Sequence, residues 1–235
     1  MVIPSIDRHG PFSSHSAHPA AKRELRNILL IGAPGAGKGT QASRIAQAID
    51  VPMIAMGDTL RRLANSGTAA GHAVRSAMQQ GELLDDELII DIVRTRLDQP
   101  DTFNGFVLDG FPRTVQQAAA LEILLDDRGP LAAVELAVPT AMLVQRLQAR
   151  RVCDGCGRNA TGLGHCACGG TPRCRADDTD AIITERLRVY ERATKPLTEF
   201  YRRRRILHVV DGTSAMDTIA ERILETLRRP QTEYR

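Results

Sequence analysis

A glycine-rich turn that carries a lysine constrains this chain more than any other feature of its sequence. Between a short apolar run and a stretch of helical spacing, residues 32–40 read GAPGAGKGT. Glycines let backbone N–H groups curl around an anion, and the start of the following helix adds its positive dipole end. Strand, turn and helix together predict a phosphate-binding loop in which Lys38 reaches the outer phosphates. The hydroxyl, Thr40, comes one residue later than in the generic motif because Gly39 follows the lysine.

Four further apolar runs follow this loop, separated by stretches of helical spacing. Short apolar runs bounded by turn residues are typical of buried parallel strands. Strands that alternate with helices favour one parallel sheet with helices on both faces. We therefore predict an α/β fold, a doubly wound parallel sheet of five strands, and one long helix over residues 178–202. The expected strands are 27–31, 51–54, 105–109, 132–138 and 206–210.

Composition argues against several classes of protein. The net charge of +3 is too small to indicate a nucleic-acid partner, and the 43% hydrophobic content is enough for a sizeable core. No apolar run approaches the ~20 residues of a membrane helix. Residues 1–25 lack the continuous apolar stretch of a secretory signal. We therefore expect a cytoplasmic protein that contacts neither a membrane nor a nucleic acid, with residues 1–25 as a disordered extension.

The five cysteines all lie within residues 153–174, an odd number in a glycine-rich segment. Such clustering in a chain without a secretory signal favours a metal over disulfides. Two knuckles of C-x-x-C spacing would give zinc four protein ligands, which makes the site structural. His165 stands where that spacing requires a ligand, while Cys166 or Cys174 in its place, or reduced thiols without metal, are the alternatives. The predicted ligands are Cys153, Cys156, His165 and Cys168.

Several longer motifs occur in an order that identifies a family. The chain resembles the adenylate kinases over roughly residues 26–228. Phosphoryl transfer to a monophosphate needs no general base, because the acceptor is already an anion, and cations near predicted loops are what this sequence offers. The matching motifs are GAPGAGKGTQ at 32–41, MGDTLR at 56–61, GELLDDEL at 81–88, LDGFPRT at 108–114, RADD at 175–178 and DGT at 211–213.

The resemblance implies a role for individual residues of this chain. The substrates would be AMP and ATP with Mg²⁺, which Asp109 would orient through water. The implied ATP-binding residues are Gly35, Ala36, Gly37, Lys38, Gly39, Thr40, Arg146, Arg150 and Ser214. The implied AMP-binding residues are Met56, Arg61, Leu84, Gly110, Arg113, Gln117, Arg175 and Arg186. The implied catalytic residues are Lys38, Arg113, Arg146, Arg150, Arg175 and Arg186.

The resemblance also implies a core with two inserts and a monomeric kinase. The core would comprise residues 26–54, 85–148 and 179–235, with a monophosphate-binding insert at 55–84 and a zinc-binding lid at 149–178. Two other functions remain open at this point. A kinase for UMP or CMP would usually carry Asn at the position of Gln117. A non-catalytic zinc-knuckle module on a kinase-like core would be expected to lose some of the basic residues, which are all present here.

Met56 is the clearest departure from the family pattern. Adenylate kinases usually carry Ser-Thr before the Gly-Asp pair, and Ala55-Met56 stands there in this chain. The family's threonine lies against adenine, so one hydroxyl contact is missing. We expect AMP to remain the preferred acceptor, with looser selectivity, because a thioether packs well against a purine face.

Overall fold

The main architectural element is a parallel sheet of five strands. The computed structural model describes residues 26–160, 164–175 and 177–228, so the predicted extension at 1–25 lies outside it. The sheet has the strand order β2-β3-β1-β4-β7, and a separate antiparallel pair is formed by β5 and β6. The strands are β1 (Asn27–Ile31), β2 (Met53–Ala55), β3 (Phe106–Asp109), β4 (Leu131–Ala137), β5 (Arg151–Cys153), β6 (Pro172–Cys174) and β7 (Leu207–Asp211).

Helices cover both faces of this sheet, which confirms the predicted doubly wound α/β fold. Alternate residues of β1 enter two separate cores: Leu29 packs with α2, α3, α4, α5 and α8, and Ile28 packs with α1, α6 and α9. No helix in the described ranges is long and apolar enough to cross a membrane. The helices are α1 (Lys38–Ala48), α2 (Met56–Ala64), α3 (Ala69–Gln80), α4 (Asp86–Leu97), α5 (Val115–Leu124), α6 (Thr140–Ala149), α7 (Asp180–Val189), α8 (Pro196–Arg203) and α9 (Met216–Arg228).

The long helix predicted over residues 178–202 is wrong in one respect, because a π-helical turn interrupts it. The turn spans Tyr190–Thr194 and separates α7 from α8. Pro196 has no N–H to donate to the preceding turn, so the regular ladder cannot continue through it. The wider turn lets the Thr194 hydroxyl donate to the main-chain oxygen of Arg113 at 2.9 Å. It thereby joins the end of α7 to the loop after β3.

Parallel pairing brings four loops to the same edge of the sheet. Leu30 near the end of β1 lies opposite Asp109, the last residue of β3, and opposite Val134 of β4. The loops after β1, β2, β3 and β7 therefore meet at the carboxyl ends of the strands, where ligands bind in open α/β sheets. Helices α2 and α3 fall within the expected monophosphate insert, and β5 and β6 within the expected lid. The domain boundaries stay predictions.

Gly105, directly before β3, and Gly67, between α2 and α3, both have a positive φ. Comparing the two tests how closely the chain packs before β3. Gly105 has φ +118°, and a Cβ there would lie 2.5 Å from the Arg26 carbonyl oxygen, which also accepts the Phe106 N–H. Gly67 has φ +72°, and a Cβ there would meet nothing within 4 Å. Gly67→Ala should lose about 1–2 kcal/mol of unfolding free energy from backbone strain alone. Gly105→Ala should lose more than about 3 kcal/mol, since the methyl group adds a backbone clash.

Urea denaturation of both variants measures these losses. Equal losses for Gly105→Ala and Gly67→Ala would show that the contact with Arg26 relaxes at no cost and would contradict the prediction.

Candidate active site at the carboxyl edge of the sheet

The turn between β1 and α1 is the predicted phosphate loop. Gly37 forms the N-cap of α1 with φ +95°, a left-handed conformation that favours glycine. It has no side chain with which to cap the helix, so the first N–H groups of α1 are left for an anion. The Lys38 ammonium donates to the carbonyl oxygens of Gly32 at 2.7 Å and Ala33 at 3.0 Å, so it folds back over the loop. The other predicted residues of the loop lie in this turn and the first turn of α1: Gly35, Ala36, Gly39 and Thr40.

Buried charge of both signs lies beside the loop. Burial raises the pKa of Asp109, and the positive charges of Lys38 and Arg113 oppose that rise. Burial lowers the pKa of Lys38 to about 8, with Asp109 opposing and Arg113 reinforcing the change. A Cβ at Gly39 would lie 3.2 Å from the Asp109 carboxylate, so a side chain there would crowd it. This contact gives a physical reason for the glycine directly after the lysine.

Two aspartates hold three of the predicted catalytic arginines at the start of α7. Arg150 donates to Asp178 at 2.7 and 2.5 Å, and Arg175 donates to Asp177 at 2.8 and 2.6 Å. Arg186 donates to Asp178 at 3.0 Å. The Asp178 side chain is only 3% exposed, so these ion pairs are poorly screened by solvent. The carboxylates bring together guanidinium groups that would otherwise repel one another.

Burial of the same cluster changes its titration. Burial lowers the pKa of Arg186 to about 10, although the charge of Asp177 acts in the opposite direction. Burial alone would raise the pKa of Asp177, but Arg175 and Arg186 overcome this effect and hold it below its usual value. Asp177 is therefore charged near neutral pH.

Two predicted residues lie apart from this cluster, near the turn after β7. Arg146 on α6 donates to the main-chain oxygen of Gly212 at 2.9 Å. The Ser214 hydroxyl accepts from Arg222 at 3.1 Å. The first contact attaches Arg146 to the turn that follows β7, and the second joins Ser214, which lies in that turn, to α9, at the same edge of the sheet as the phosphate loop.

Every residue predicted to bind AMP lines one cleft of about 700 Å³. A second cleft, of about 560 Å³, is lined by Lys38 and by Gly32 of the phosphate loop. Arg113 and Arg186 line both clefts, so the phosphate loop and the first cleft share two cations. The predicted residues in the first cleft are Met56, Arg61, Leu84, Gly110, Arg113, Gln117, Arg175 and Arg186.

Side chains to which the motifs assign no role support these residues. Asp86 accepts from the Gln117 amide at 2.7 Å, and Thr194 donates to the main chain of Arg113 at 2.9 Å. Asp86 lies within the GELLDDEL motif, but in sequence it looks like any acidic residue at the start of a helix. Thr194 is 81 residues from its partner. No local pattern could have indicated either contact.

Four cysteine sulfur atoms lie together at the hairpin of β5 and β6. They fall within 4.8 Å of one another, with 3.4 Å between Cys153 and Cys168 and 3.6 Å between Cys156 and Cys166. Zn–S bonds of ~2.3 Å in a tetrahedron require sulfur atoms ~3.8 Å apart, which this group approximates. Backbone N–H groups of Cys156 and Gly155 lower the pKa of the Cys153 thiol, whereas the neighbouring cysteine sulfur atoms raise the pKa of the Cys168 thiol.

The fourth member of this group differs from the predicted fourth ligand, His165. The structure groups Cys166 with the other three cysteines, and neither His165 nor Cys174 belongs to the group. A tight turn explains the difference: Cys166 donates its N–H to Gly170 O at 2.8 Å and accepts from Gly169 N–H at 2.8 Å. The chain reverses over these residues, so Cys166 and Cys168 present their thiols on one side. The C-x-x-C spacing that favoured His165 does not hold in this short second knuckle.

Comparisons with known proteins agree with this geometry. The family model described as adenylate kinase matches residues 30–206. An adenylate kinase of Clostridium perfringens is 42% identical over 210 residues, which cover 85% of this chain and 97% of that protein. An adenylate kinase of Archaeoglobus fulgidus is 40% identical over 215 residues, covering 86% and 99%. The resemblance seen in the motifs is confirmed, and the chain belongs to the adenylate kinase family.

Proposed function

We propose that each of the two clefts binds one of the two nucleotides of a single reaction. Members of the family transfer the terminal phosphoryl group of ATP to AMP and form two ADP, and this chain is such an enzyme. In our proposal the loop around Lys38 binds ATP with its Mg²⁺, and the cleft beyond Arg113 binds AMP. One observation carries this division: Arg113 and Arg186 line both clefts, so donor and acceptor phosphates share the same cations.

Stabilisation of charge is the main work of the protein in this proposal. Negative charge spreads over the oxygens of a phosphoryl group in transfer, and preorganised cations stabilise it best where water is excluded. Arginine suits this task because its planar fork makes paired hydrogen bonds to phosphate oxygens. The catalytic cations are Lys38, Arg113, Arg146, Arg150, Arg175 and Arg186.

ATP would lie along the phosphate loop, with its base near the turn after β7. The N–H groups at the start of α1 would bind its phosphates, and Arg146 and Ser214 would lie on the side of the nucleoside. Mg²⁺ prefers oxygen ligands and usually keeps several waters. Asp109 offers a carboxylate beside Lys38, which fits an outer-shell partner of hydrated Mg²⁺ that arrives with ATP.

AMP would occupy the larger cleft. Arg61 and Arg113 would hold its phosphate, and Gln117 would hydrogen-bond to its base. Leu84, Gly110 and Met56 would form the walls around the nucleoside. Gln117, where a pyrimidine kinase would usually carry Asn, favours an adenylate kinase, and the complete set of cations argues against a non-catalytic zinc-knuckle module.

We propose a structural zinc ion in the lid, bound by Cys153, Cys156, Cys166 and Cys168. Four thiolates leave no open position for a substrate, so the metal would supply folding free energy rather than chemistry. The lid, within residues 149–178, and the insert at 55–84 would close over the nucleotides and exclude water. The chain would act as a monomer, because it supplies both clefts itself. Free cysteines suit a reducing compartment such as the cytoplasm.

Replacement of Lys38 by Met should remove the charge that the loop offers to the outer phosphates. We expect kcat to fall about a hundredfold or more, since one stabilising contact to the transferring group is lost. Burial lowers the pKa of Lys38 to about 8, below its unfolded value of 10.5, so the folded state disfavours its charge at neutral pH. The melting temperature should therefore stay unchanged or rise. Lys195→Met, at an exposed lysine paired with Glu191, is the matched control and should keep normal turnover.

Zinc removal should unfold the lid without unfolding the core. Elemental analysis of purified protein should find about one zinc per chain. Cys166→Ser should lose the metal and lower the melting temperature, because three thiolates bind zinc less tightly than four. Cys174→Ser and His165→Ala are matched controls from the same segment and should keep it. Loss of zinc in His165→Ala, with retention in Cys166→Ser, would restore the ligand set that the spacing predicts.

Met56→Thr should sharpen selectivity for AMP. Met56 is 1% exposed on the wall of the larger cleft, where threonine would restore a hydroxyl next to the base. One hydrogen bond contributes about 0.5–1.5 kcal/mol, so kcat/KM for AMP relative to CMP and UMP should rise by up to about tenfold. Met53→Thr, on β2, makes the same change away from the clefts and should leave the ratio unaltered. Faster use of CMP or UMP than of AMP by the unmodified protein would favour the pyrimidine kinase.

A further inference from the structure

The side-chain amide of Gln117 has a protein partner at each end. Gln117 is 2% exposed and lines the larger cleft. Its Oε1 accepts the main-chain N–H of Arg113 at 2.7 Å, and its Nε2 donates to Asp86 Oδ1 at 2.7 Å. A buried amide with two short contacts of this kind is held in place before any ligand binds.

These two partners allow the amide only one orientation. A main-chain N–H cannot accept a hydrogen bond, so it must face the oxygen of the amide. An ionised carboxylate cannot donate, so it must face the nitrogen. Rotation of the amide by 180° would place donor against donor at Arg113 and acceptor against acceptor at Asp86. The rotated amide would lose both of its hydrogen bonds, and leaving buried polar groups unpaired, one of them a carboxylate, is costly.

Asp86 is itself held by a third residue. Its other carboxylate oxygen, Oδ2, accepts from the Thr114 hydroxyl at 2.9 Å. The Thr114 oxygen in turn caps α5 by accepting the main-chain N–H of Gln117 at 3.1 Å. The first turn of α4 and the first turn of α5 are thereby linked through one carboxylate. The orientation of the amide therefore depends on Asp86 and Thr114, neither of which lines the cleft itself.

One donor and one acceptor of Gln117 remain for a ligand. The amide nitrogen has a second N–H, and the amide oxygen has a second lone pair. A 6-aminopurine offers a ring nitrogen that accepts beside an amino group that donates, which complements the pair. A 6-oxopurine of nearly the same shape offers a ring N–H beside a carbonyl oxygen, which reverses it. A rotating amide could serve both bases, whereas a fixed amide can serve only one of them.

We propose that Asp86 is a positioning residue that sets base selectivity by fixing the orientation of the Gln117 amide. The inference rests on the proposed function, in that the larger cleft must hold the base of the monophosphate. Asp86 acts through Gln117 and touches no substrate. It rejects 6-oxopurines because the reversed edge would leave buried donors and acceptors unpaired.

Asp86→Asn tests this proposal with almost no change in shape. Asn can donate as well as accept, so the variant loses the acceptor-only partner while the Arg113 N–H still favours one orientation. We expect the ratio of kcat/KM for AMP to that for inosine monophosphate, with ATP as donor, to fall about tenfold. The change should come mostly from KM, because binding of the base and not the phosphoryl transfer is altered. The melting temperature should change little.

Asp85→Asn is the matched control. It makes the same change one residue away, and Asp85 caps α4 through the N–H groups of Glu87 and Leu88. Asn caps a helix as well as Asp does, so the AMP-to-inosine ratio should match that of the unmodified protein. A second pair of variants tests the proposal even if Asp86→Asn misfolds. Thr114→Val should lower the AMP-to-inosine ratio, and Thr114→Ser, which keeps the hydroxyl, should not.

An equal loss of kcat/KM for AMP and inosine monophosphate in Asp86→Asn would overturn the proposal, because a merely structural residue would affect both substrates alike. An unchanged ratio in both Asp86→Asn and Thr114→Val would overturn it too. Failure of the unmodified protein to phosphorylate AMP would instead refute the proposed function. The two failures are therefore distinguishable in one series of assays.

Discussion

The rest of the site depends on the burial of charge at the carboxyl edge of the parallel sheet. The pairing of β1 with β3 brings Lys38, which follows one strand, close to Asp109, which ends the other. Each charge offsets part of the cost of burying the other, yet the local balance stays positive because arginines surround the pair. A site with such an excess of buried positive charge is suited to polyanions. The loops that carry the cations differ in sequence, and their strands bring them together.

Much of this could be predicted from sequence because the main signals are local. A strand, a glycine-rich turn and a helix are adjacent in the chain, and the five strands follow from apolar runs bounded by turn residues. The proposed roles of the arginines rest on the family resemblance, since a single arginine carries no signal of its own. Contacts between distant residues, such as Thr194 with Arg113, could not be predicted. This contact depends on a π turn: Pro196 indicates a break in the helix, but no propensity indicates that the break takes this form.

The lid shows where spacing rules fail. C-x-x-C spacing describes a knuckle whose turn has a standard length, and the first knuckle, Cys153 to Cys156, follows it. In the second knuckle the chain reverses between Cys166 and Gly170, so thiols only two residues apart reach the same point. Turn geometry decides which sulfur atoms come together there. Sequence could limit the choice to three candidates, one histidine and two cysteines, but could not choose among them.

The ion pairs of Asp177 and Asp178 have a consequence for turnover. Three arginines that would bind phosphates already have carboxylate partners within the chain. A nucleotide must compete with these internal anions, so it gains less from each guanidinium than it would from an unpaired one. The same carboxylates can form these ion pairs again once the phosphoryl group has been transferred. If the arginines bind phosphates as proposed, the two aspartates would compete with the product for them, which would lower its affinity and speed its release.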